Sequence, residues 1–269
     1  MAGAYRLVAS DIDGTLIIDW DPRGINPKVF DQIRELRRRG AIFLASSGRQ
    51  YPNLRRLFAP VADEIAYLCE NGAVAFWQGE PVVCRPMEPG LALDICHRIQ
   101  ETEGLHLLIS GLRTSYVLAS EPEFVDHMRT VVGNVVIPVA RPEDVPERMI
   151  KVSYHSTPEV MERERAGFEA AFGDVCKVVT SGATWMDVVG KGIDKGSTMR
   201  ELGELWGIGP AQMMAFGDNL NDAEMLDLVG APYLMESGNP ELSALNSRMR
   251  RCRSVHEALE GLLATPGVF

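Results

Sequence analysis

The sequence predicts an α/β fold, a Rossmann-like parallel-sheet core carrying an inserted α+β cap. Short apolar runs such as Leu7-Val8-Ala9, Ile42-Phe43-Leu44-Ala45 and Met213-Met214-Ala215-Phe216 have the length and bounds of strands buried on both faces. Amphipathic helical stretches alternate with them, the pattern of parallel βα units. The alternation breaks off near residue 80 and resumes after Asp194. The roughly 110 residues between follow a pattern of their own, long enough for an independent domain. The expected division is therefore 1–80 and 190–269 for the core and 81–189 for the cap.

Each element has a local cause. Arg6–Ala9 reads as the first strand. Asn26-Pro27 supplies an N-cap followed by proline at the first helical position, and Gly40 ends that helix after Arg39. Ala41–Ala45 reads as a buried strand, Pro52–Phe58 as a short helix, and Ile65–Leu68 as a strand stopped by Glu70-Asn71-Gly72. Ala73–Gln78 and Pro81–Cys84 form a hairpin about Gln78-Gly79-Glu80. In the insertion, helices are expected at Pro89–Thr102, Pro122–Val131 and Pro158–Phe172. Strands are expected there near 106–109, 116–119, 135–139, 149–155, 175–180 and 184–189. The core then resumes with helices at Lys195–Trp206, Asp222–Val229 and Val255–Leu263 and strands at Met213–Phe216 and Ala231–Met235.

Composition narrows the function. The 269 residues carry a formal charge of −10 with no basic stripe, which argues against a nucleic-acid partner. The short run Arg248-Arg250-Arg251-Arg253 reads as a solvated helix or loop face. Five cysteines without a C-x-x-C pair point to reduced thiols rather than a disulfide framework or a zinc site. No apolar stretch is long enough to span a bilayer, and the first residues lack a secretory apolar region. A cytoplasmic protein with no membrane association is expected.

Four segments carry chemistry. Asp11-Ile12-Asp13-Gly14-Thr15 places two carboxylates two residues apart at the end of the first strand. Gly14 brings permissive backbone geometry, and Thr15 a hydroxyl expected to cap a helix. One aspartate in such a turn can act as a nucleophile on phosphorus while the other shuttles a proton; the plain alternative is an acidic loop. Ser46-Ser47-Gly48-Arg49 offers a hydroxyl and backbone N–H groups as a small anion cradle, although Ser-Gly after a strand is a common turn. In Asp194-Lys195-Gly196-Ser197 a lysine at a helix start can hold a phosphate or an aspartate as a point charge. The order Lys-Gly-Ser does not match the P-loop template. Gly217-Asp218-Asn219-Leu220-Asn221-Asp222 packs oxygen donors at a helix start, suited to a hard cation or to helix capping.

All four segments follow or adjoin expected core strands, whose C-terminal ends share one edge in an open α/β sheet. That edge would gather Asp11, Asp13, Asp218 and Asp222. Like charges about 4 Å apart repel by roughly 4 kcal/mol per pair at an effective dielectric near 20. Such a cluster needs a divalent cation to stay ionised, or a raised pKa neutralises part of it. Mg²⁺ fits better than Ca²⁺, because no EF-hand spacing is present.

In motif order and spacing these segments resemble the haloacid dehalogenase (HAD) superfamily, in particular its Cof-type phosphatases. The resemblance rests on Asp11-Ile-Asp13-Gly-Thr15, Ser47-Gly48-Arg49, Lys195-Gly196 and Gly217-Asp218-Asn219-Leu220-Asn221-Asp222, with Asn71-Gly72-Ala73 matching a further family segment. It covers essentially the whole chain. It implies a Mg²⁺-dependent phosphatase of small phosphorylated metabolites, sugar phosphates by default and pyridoxal phosphate or flavin-pathway phosphates otherwise, with Asp11 as the nucleophile that forms an aspartyl-phosphate and Asp13 as acid and base. Mg²⁺ would be held by Asp11, the Asp13 carbonyl and Asp218. Ser47, Gly48, Arg49, Lys195 and Asn221 would bind the phosphoryl oxygens, with Asp222 and Asn71 in support. A phosphomutase and a non-catalytic phosphometabolite sensor are the alternatives. A monomer or homodimer acting on a small phosphate ester is expected. Arg113, His106 and Lys151 are candidate cap residues for choosing the alcohol half of the substrate. Two departures stand out: serine at position 47 where threonine is commoner, and the longer Met235-Glu-Ser-Gly-Asn239-Pro loop in place of a short Met-x-Asn-Ala.

Overall fold

The computed structural model describes residues 4–18, 24–180, 183–246 and 248–269. Its elements in chain order begin with β1 (Leu7–Ser10), α1 (Pro27–Arg38), β2 (Ile42–Ser46), α2 (Tyr51–Leu57), β3 (Ala66–Cys69), β4 (Val74–Trp77) and β5 (Glu80–Cys84). There follow α3 (Pro89–Gln100), β6 (His106–Ser110), β7 (Ser115–Leu118), α4 (Pro122–His127), β8 (Val136–Val139), β9 (Lys151–His155), α5 (Pro158–Phe172), β10 (Cys176–Thr180) and β11 (Trp185–Gly190). The chain finishes with α6 (Lys195–Trp206), β12 (Met213–Gly217), α7 (Ala223–Leu228), β13 (Ala231–Met235), α8 (Pro240–Leu245), β14 (Arg250–Cys252) and α9 (Val255–Ala264). Among the described residues, no helix is long and apolar enough to cross a membrane.

The chain divides into two units. One comprises 1–47, 54–83 and 194–269; the other comprises 48–53 and 84–193. In the first, eight strands form a sheet in the order β14-β13-β12-β1-β2-β3-β4-β5. The six strands from β14 to β3 run parallel, and β4 turns back antiparallel to β3. Burial on both faces explains why β1 and β3 read as continuous apolar runs rather than alternating ones. Leu7, Ala9, Leu44, Ala66, Leu68 and Ala215 pack with Met199 and Leu202 of α6 and Met225 and Leu226 of α7. Each large side chain removed from water in this layer contributes roughly 1.5–3 kcal/mol. The Asn26 side chain accepts from the Lys28 amide, and Pro27 opens α1, as the sequence predicts. Positive φ at Gln78 (53°) and Gly79 (84°) makes the tight β4–β5 turn.

Two expectations from the sequence need correction here. The arginine run is neither helix nor loop throughout, because Arg250–Cys252 is the edge strand β14, paired in parallel with Tyr233–Met235. Its guanidinium groups find partners that only the fold supplies: Arg250 donates to the Tyr233 hydroxyl at 3.0 Å, and Arg251 to Ser243 Oγ at 2.6 Å. A charged, three-residue strand blunts an otherwise open sheet edge. The expected helix at Asp222 begins one residue later, after a 3₁₀ turn over Leu220–Asp222.

The second unit is built on a six-stranded sheet in the order β10-β11-β9-β6-β7-β8, antiparallel except for β7 and β8. Helices α3 and α5 bury Ile95, Ile99, Met161 and Phe168 against Leu107, Ile109, Val152 and Tyr154. A smaller cluster joins Leu108, Val117 and Val136 to Phe124, Val125 and Met128. The helix expected over 122–131 gives way after His127 to a π-helical stretch, Met128–Val132, which Gly133 ends at φ +75°.

Segment 48–53 belongs to this unit through side chains that copy backbone pairing. Gln50 Nε2 donates to Val135 O at 3.2 Å, and Gln50 Oε1 accepts from Val135 N at 3.0 Å. Asn53 Nδ2 donates to Val132 O at 2.7 Å.

Candidate active site

The parallel sheet sets the site. Asp11 follows β1, Ser47 follows β2 and Asp218 follows β12, and these strands are neighbours in register. Parallel strands end on a common edge, so three of the four motifs emerge side by side. The Asp11 amide still donates to Phe216 O at 2.9 Å, which extends the β1–β12 pairing to the aspartate itself.

After Asp11 the chain turns sharply, with Ile17 N donating to Ile12 O at 2.8 Å and Gly14 N to Ile17 O at 2.9 Å. Asp13 lies in this turn, bridged to Ile17. Gly14 has φ +87°, and a Cβ there would stand 2.3 Å from Asp218 Oδ2. Glycine is needed both for the conformation and for the close approach. Among the described residues Thr15 caps no helix; α1 starts at Pro27 under Asn26. The Thr15 hydroxyl donates instead to Asp218 Oδ1 at 3.0 Å, tying the first motif to the last.

Helix α6 delivers Lys195. Asp194 is the N-cap, accepting from Ser197 N at 2.7 Å, while Ser197 Oγ accepts from Asp194 N at 3.1 Å. This reciprocal capping fixes the first turn. Gly196 lets α6 press against α7, because a Cβ there would lie 2.4 Å from the Glu224 carbonyl carbon. Lys195 is completely buried, and its Nζ donates to Asp11 Oδ1 at 2.5 Å and to Asp222 Oδ1 at 2.7 Å. The other oxygen of Asp222 accepts from the amides of Asp218 at 3.0 Å and Asn219 at 3.2 Å.

Carboxylate oxygens of Asp11, Asp218 and Asp222 lie within 4.8 Å of one another. Burial raises the Asp11 pKa well above its ordinary value; Lys195 opposes this, while Asp222, Asp218 and Asp13 add to it. Burial, then Asp222, pushes Asp218 up to about 6, against the Thr15 hydroxyl and Lys195. Lys195 is subject to a similar contest: burial favours its neutral form, but Asp11 and Asp222 outweigh that and hold the ammonium charged. One ammonium faces three buried or half-buried carboxylates, so the cluster is short of positive charge. Hard oxygen donors with a charge deficit suit a divalent cation. Both oxygens of Asp222 already have hydrogen-bond donors, which leaves Asp11 and Asp218 as the better-placed ligands.

The remaining motif residues form a second series of contacts. The Ser47 amide donates to Leu68 O at 2.9 Å, Asn71 N donates to Ser47 O at 3.1 Å, and Asn221 Nδ2 reaches Asn71 Oδ1 at 3.4 Å. Glu70 and Asn71 both take left-handed φ (52° and 55°), and Gly72 follows at φ +101° against the Asp194 carbonyl. Thr198, which the motifs do not single out, donates to Gly72 O at 2.6 Å and joins this turn to α6. The long Met235–Asn239 loop braces the last motif, since Asn239 N donates to Asp218 O at 2.7 Å.

Gly48 and Arg49 fall in the second unit, where Arg49 Nη1 donates to Asn53 Oδ1 at 3.1 Å. Of the cap candidates, His106 Nδ1 pairs with Glu121 at 2.5 Å, the Arg113 guanidinium stacks 5.5 Å over the Tyr51 ring, and Lys151 is buried against Asp187.

Comparison with known proteins gives the family and the fold. Residues 8–251 match the family described as haloacid dehalogenase-like hydrolase. The chain is 25% identical over 244 residues to the Escherichia coli protein named 5-amino-6-(5-phospho-D-ribitylamino)uracil phosphatase YbjI, covering 90% of this chain and 89% of that one. It is 24% identical to an HMP-PP phosphatase of Citrobacter koseri, covering 89% and 87%. A solved sugar phosphatase of HAD subclass IIB shares the fold, with a TM-score of 0.80 at 19% identity over 95% of this chain and 98% of that one. With the match spanning nearly the whole sequence, the chain belongs to the haloacid dehalogenase-like hydrolases.

Proposed function

We propose that this hydrolase is a Mg²⁺-dependent phosphatase of small phosphorylated metabolites, sugar phosphates first among them, working through an aspartyl-phosphate. The observation that carries the reading is the Asp11 carboxylate, buried at a strand end and held by Lys195 beside Asp218. Such an immobilised carboxylate, once a bound cation offsets the charge deficit that raises its pKa, is an in-line nucleophile with little reorganisation left to undergo.

An Asp11 oxygen would bond to phosphorus as the ester P–O bond breaks, and Asp13 would give its proton to the departing alkoxide. Asp13 would then take a proton from water as the water oxygen attacks phosphorus. The Asp11 O–P bond would break as the water oxygen bonds to phosphorus, inorganic phosphate would leave, and both aspartates would return to their starting states. Lys195 keeps Asp11 aimed and favours its ionised form against burial, while Asp222 anchors Lys195. Ser47, the Gly48 and Arg49 backbone, and Asn221 would bind the phosphoryl oxygens. Asp11, Asp218 and the Asp13 carbonyl would hold Mg²⁺, which supplies neutralising charge to those oxygens when bound.

The relative named for 5-amino-6-(5-phospho-D-ribitylamino)uracil adds a phosphorylated sugar-alcohol chain carried on a uracil to the substrates considered. The same reading makes the protein a cytoplasmic monomer or homodimer. The test is a screen of purified protein against a panel of phosphorylated metabolites, with Mg²⁺ and with EDTA. Release of inorganic phosphate only with Mg²⁺, and without a bisphosphate activator, is the expected result. Phosphoryl return to the sugar would identify a mutase. No turnover of any ester, p-nitrophenyl phosphate included, would reject catalysis.

A further inference from the structure

The second unit contains a buried ion pair that the chemistry above does not use. Lys151 Nζ lies 3.2 Å from Asp187 Oδ1, and both side chains are almost wholly buried, with 5% and 4% exposed. Asp187 Oδ1 also accepts from Ser153 Oγ at 2.6 Å. The placement follows from register: Ser153 stands opposite Asp187 across the β9–β11 pair, and Lys151 lies two residues before it on the same face. Burying an ammonium and a carboxylate costs several kcal/mol per ion, and a pair of this kind adds little net stability over an apolar one. The informative question is what else the ammonium holds. Lys151 Nζ donates to Gly48 O at 2.9 Å.

We infer that Lys151 is a positioning residue for the phosphate cradle, acting through the Gly48–Arg49 peptide; this rests on the phosphatase reading. The peptide is trans and planar, so its C=O and N–H point in opposite directions. Fixing the Gly48 oxygen therefore fixes the direction of the Arg49 N–H. That makes the Arg49 backbone amide, rather than its guanidinium, the donor this segment supplies to a phosphoryl oxygen. Asp187 and Ser153 keep the ammonium in place. Gln50 and Asn53 hold the following turn through Val135, Val132 and Asn134. Lys151 takes hold of the peptide directly after the Ser47–Gly48 link.

Two measurements decide it. In the wild-type protein with Mg²⁺, backbone amide resonances are followed during titration with inorganic phosphate. The Arg49 amide is expected to shift together with that of Gly48. An Arg49 amide that stays put while Gly48 responds overturns the inference and leaves the phosphatase reading intact. The double variant Lys151→Met/Asp187→Leu removes both charges at once and leaves neither buried alone. The inhibition constant for phosphate and the KM for p-nitrophenyl phosphate are expected to rise about tenfold, with kcat changing less than about threefold. Unchanged phosphate inhibition in the folded double variant overturns the inference. If that variant does not fold, the wild-type titration alone decides. Wild-type protein that neither hydrolyses esters nor binds phosphate would reject the phosphatase reading, and this inference with it.

Discussion

Lys195 and Asp11 are 184 residues apart in the chain and 2.5 Å apart in space, ammonium to carboxylate. The same ammonium is 2.7 Å from Asp222, so one cation restrains two carboxylates while Asp218 lies close by. Removing the cation leaves buried negative charges facing one another. Lys195→Met is expected to lower unfolding free energy by about 3–5 kcal/mol in EDTA, as for other broken buried pairs. Urea titrations with EDTA and with Mg²⁺ check this, and the deficit is expected to shrink with Mg²⁺. A variant as stable as the wild type in EDTA would show that the lysine does not carry the charge balance.

Asp11→Asn keeps the shape and removes the nucleophile. Turnover of p-nitrophenyl phosphate is expected to fall by at least about 10³-fold, the scale of losing a nucleophile. Circular dichroism would establish that the variant folds. Substantial residual activity would reject Asp11 as the attacking group.

Asp13→Asn is expected to slow both half-reactions by roughly 10²–10⁴-fold, the usual contribution of a positioned acid–base group. Rapid-quench trapping of phosphorylated protein, with substrates of differing leaving-group pKa, separates the two steps. Normal breakdown of the phosphorylated form would contradict the dual role.

Gly14→Ala and Gly40→Ala form a matched pair. Both glycines have positive φ (87° and 82°), but an added Cβ meets Asp218 Oδ2 at 2.3 Å at position 14 and nothing within 4 Å at position 40. Each variant carries the backbone strain of about 1–3 kcal/mol. Weakened Mg²⁺ affinity, read by titration calorimetry, is expected at position 14 alone. Equal Mg²⁺ affinity in the two variants would separate Asp218 from the cation site.

Asp218 has a pKa raised to about 6 in the metal-free protein, above the 3.8 of an unperturbed aspartate. The stability tied to this shift is present in full below pH 3.8 and is lost as pH rises through about 6. In EDTA the melting temperature of the wild type, relative to Asp218→Asn, is expected to fall between about pH 4 and pH 6.5, the span set by the two pKa values. Mg²⁺ is expected to raise it more at the upper end of that window. A difference that stays flat across the window would show that Asp218 is not the group titrating.

The motif order, the strand–helix alternation and the helix caps are legible in the sequence because each is set by neighbours in the chain. Asn26-Pro27 starts α1 by local hydrogen bonding, and Asp194 with Ser197 starts α6 in the same way. Leu7–Ser10 and Ala66–Cys69 declare themselves buried strands by apolar runs of fitting length. Parallel order then sends Asp11, Ser47 and Asp218 to one edge without further information.

Other features depend on partners far away in sequence. Thr15 reads as a helix cap because a hydroxyl after Asp-Gly ordinarily serves that way, yet its acceptor is Asp218, 203 residues on. Arg250–Cys252 carries too much charge to read as a strand, and becomes one by pairing along the edge of β13. In sequence Lys151 reads as an ordinary surface or strand residue sooner than as a substrate ligand; only the register of β9 against β11, and the return of Gly48 to that sheet, gives its ammonium a place. Periodicity and local hydrogen bonding set most of the strands and helices and the side chains the strand ends carry, but not the edge strand β14, the helix α8 or the π-helical stretch after His127. Tertiary structure decided which charged groups meet, because burial and the distances between oppositely charged atoms exist only once the chain has folded.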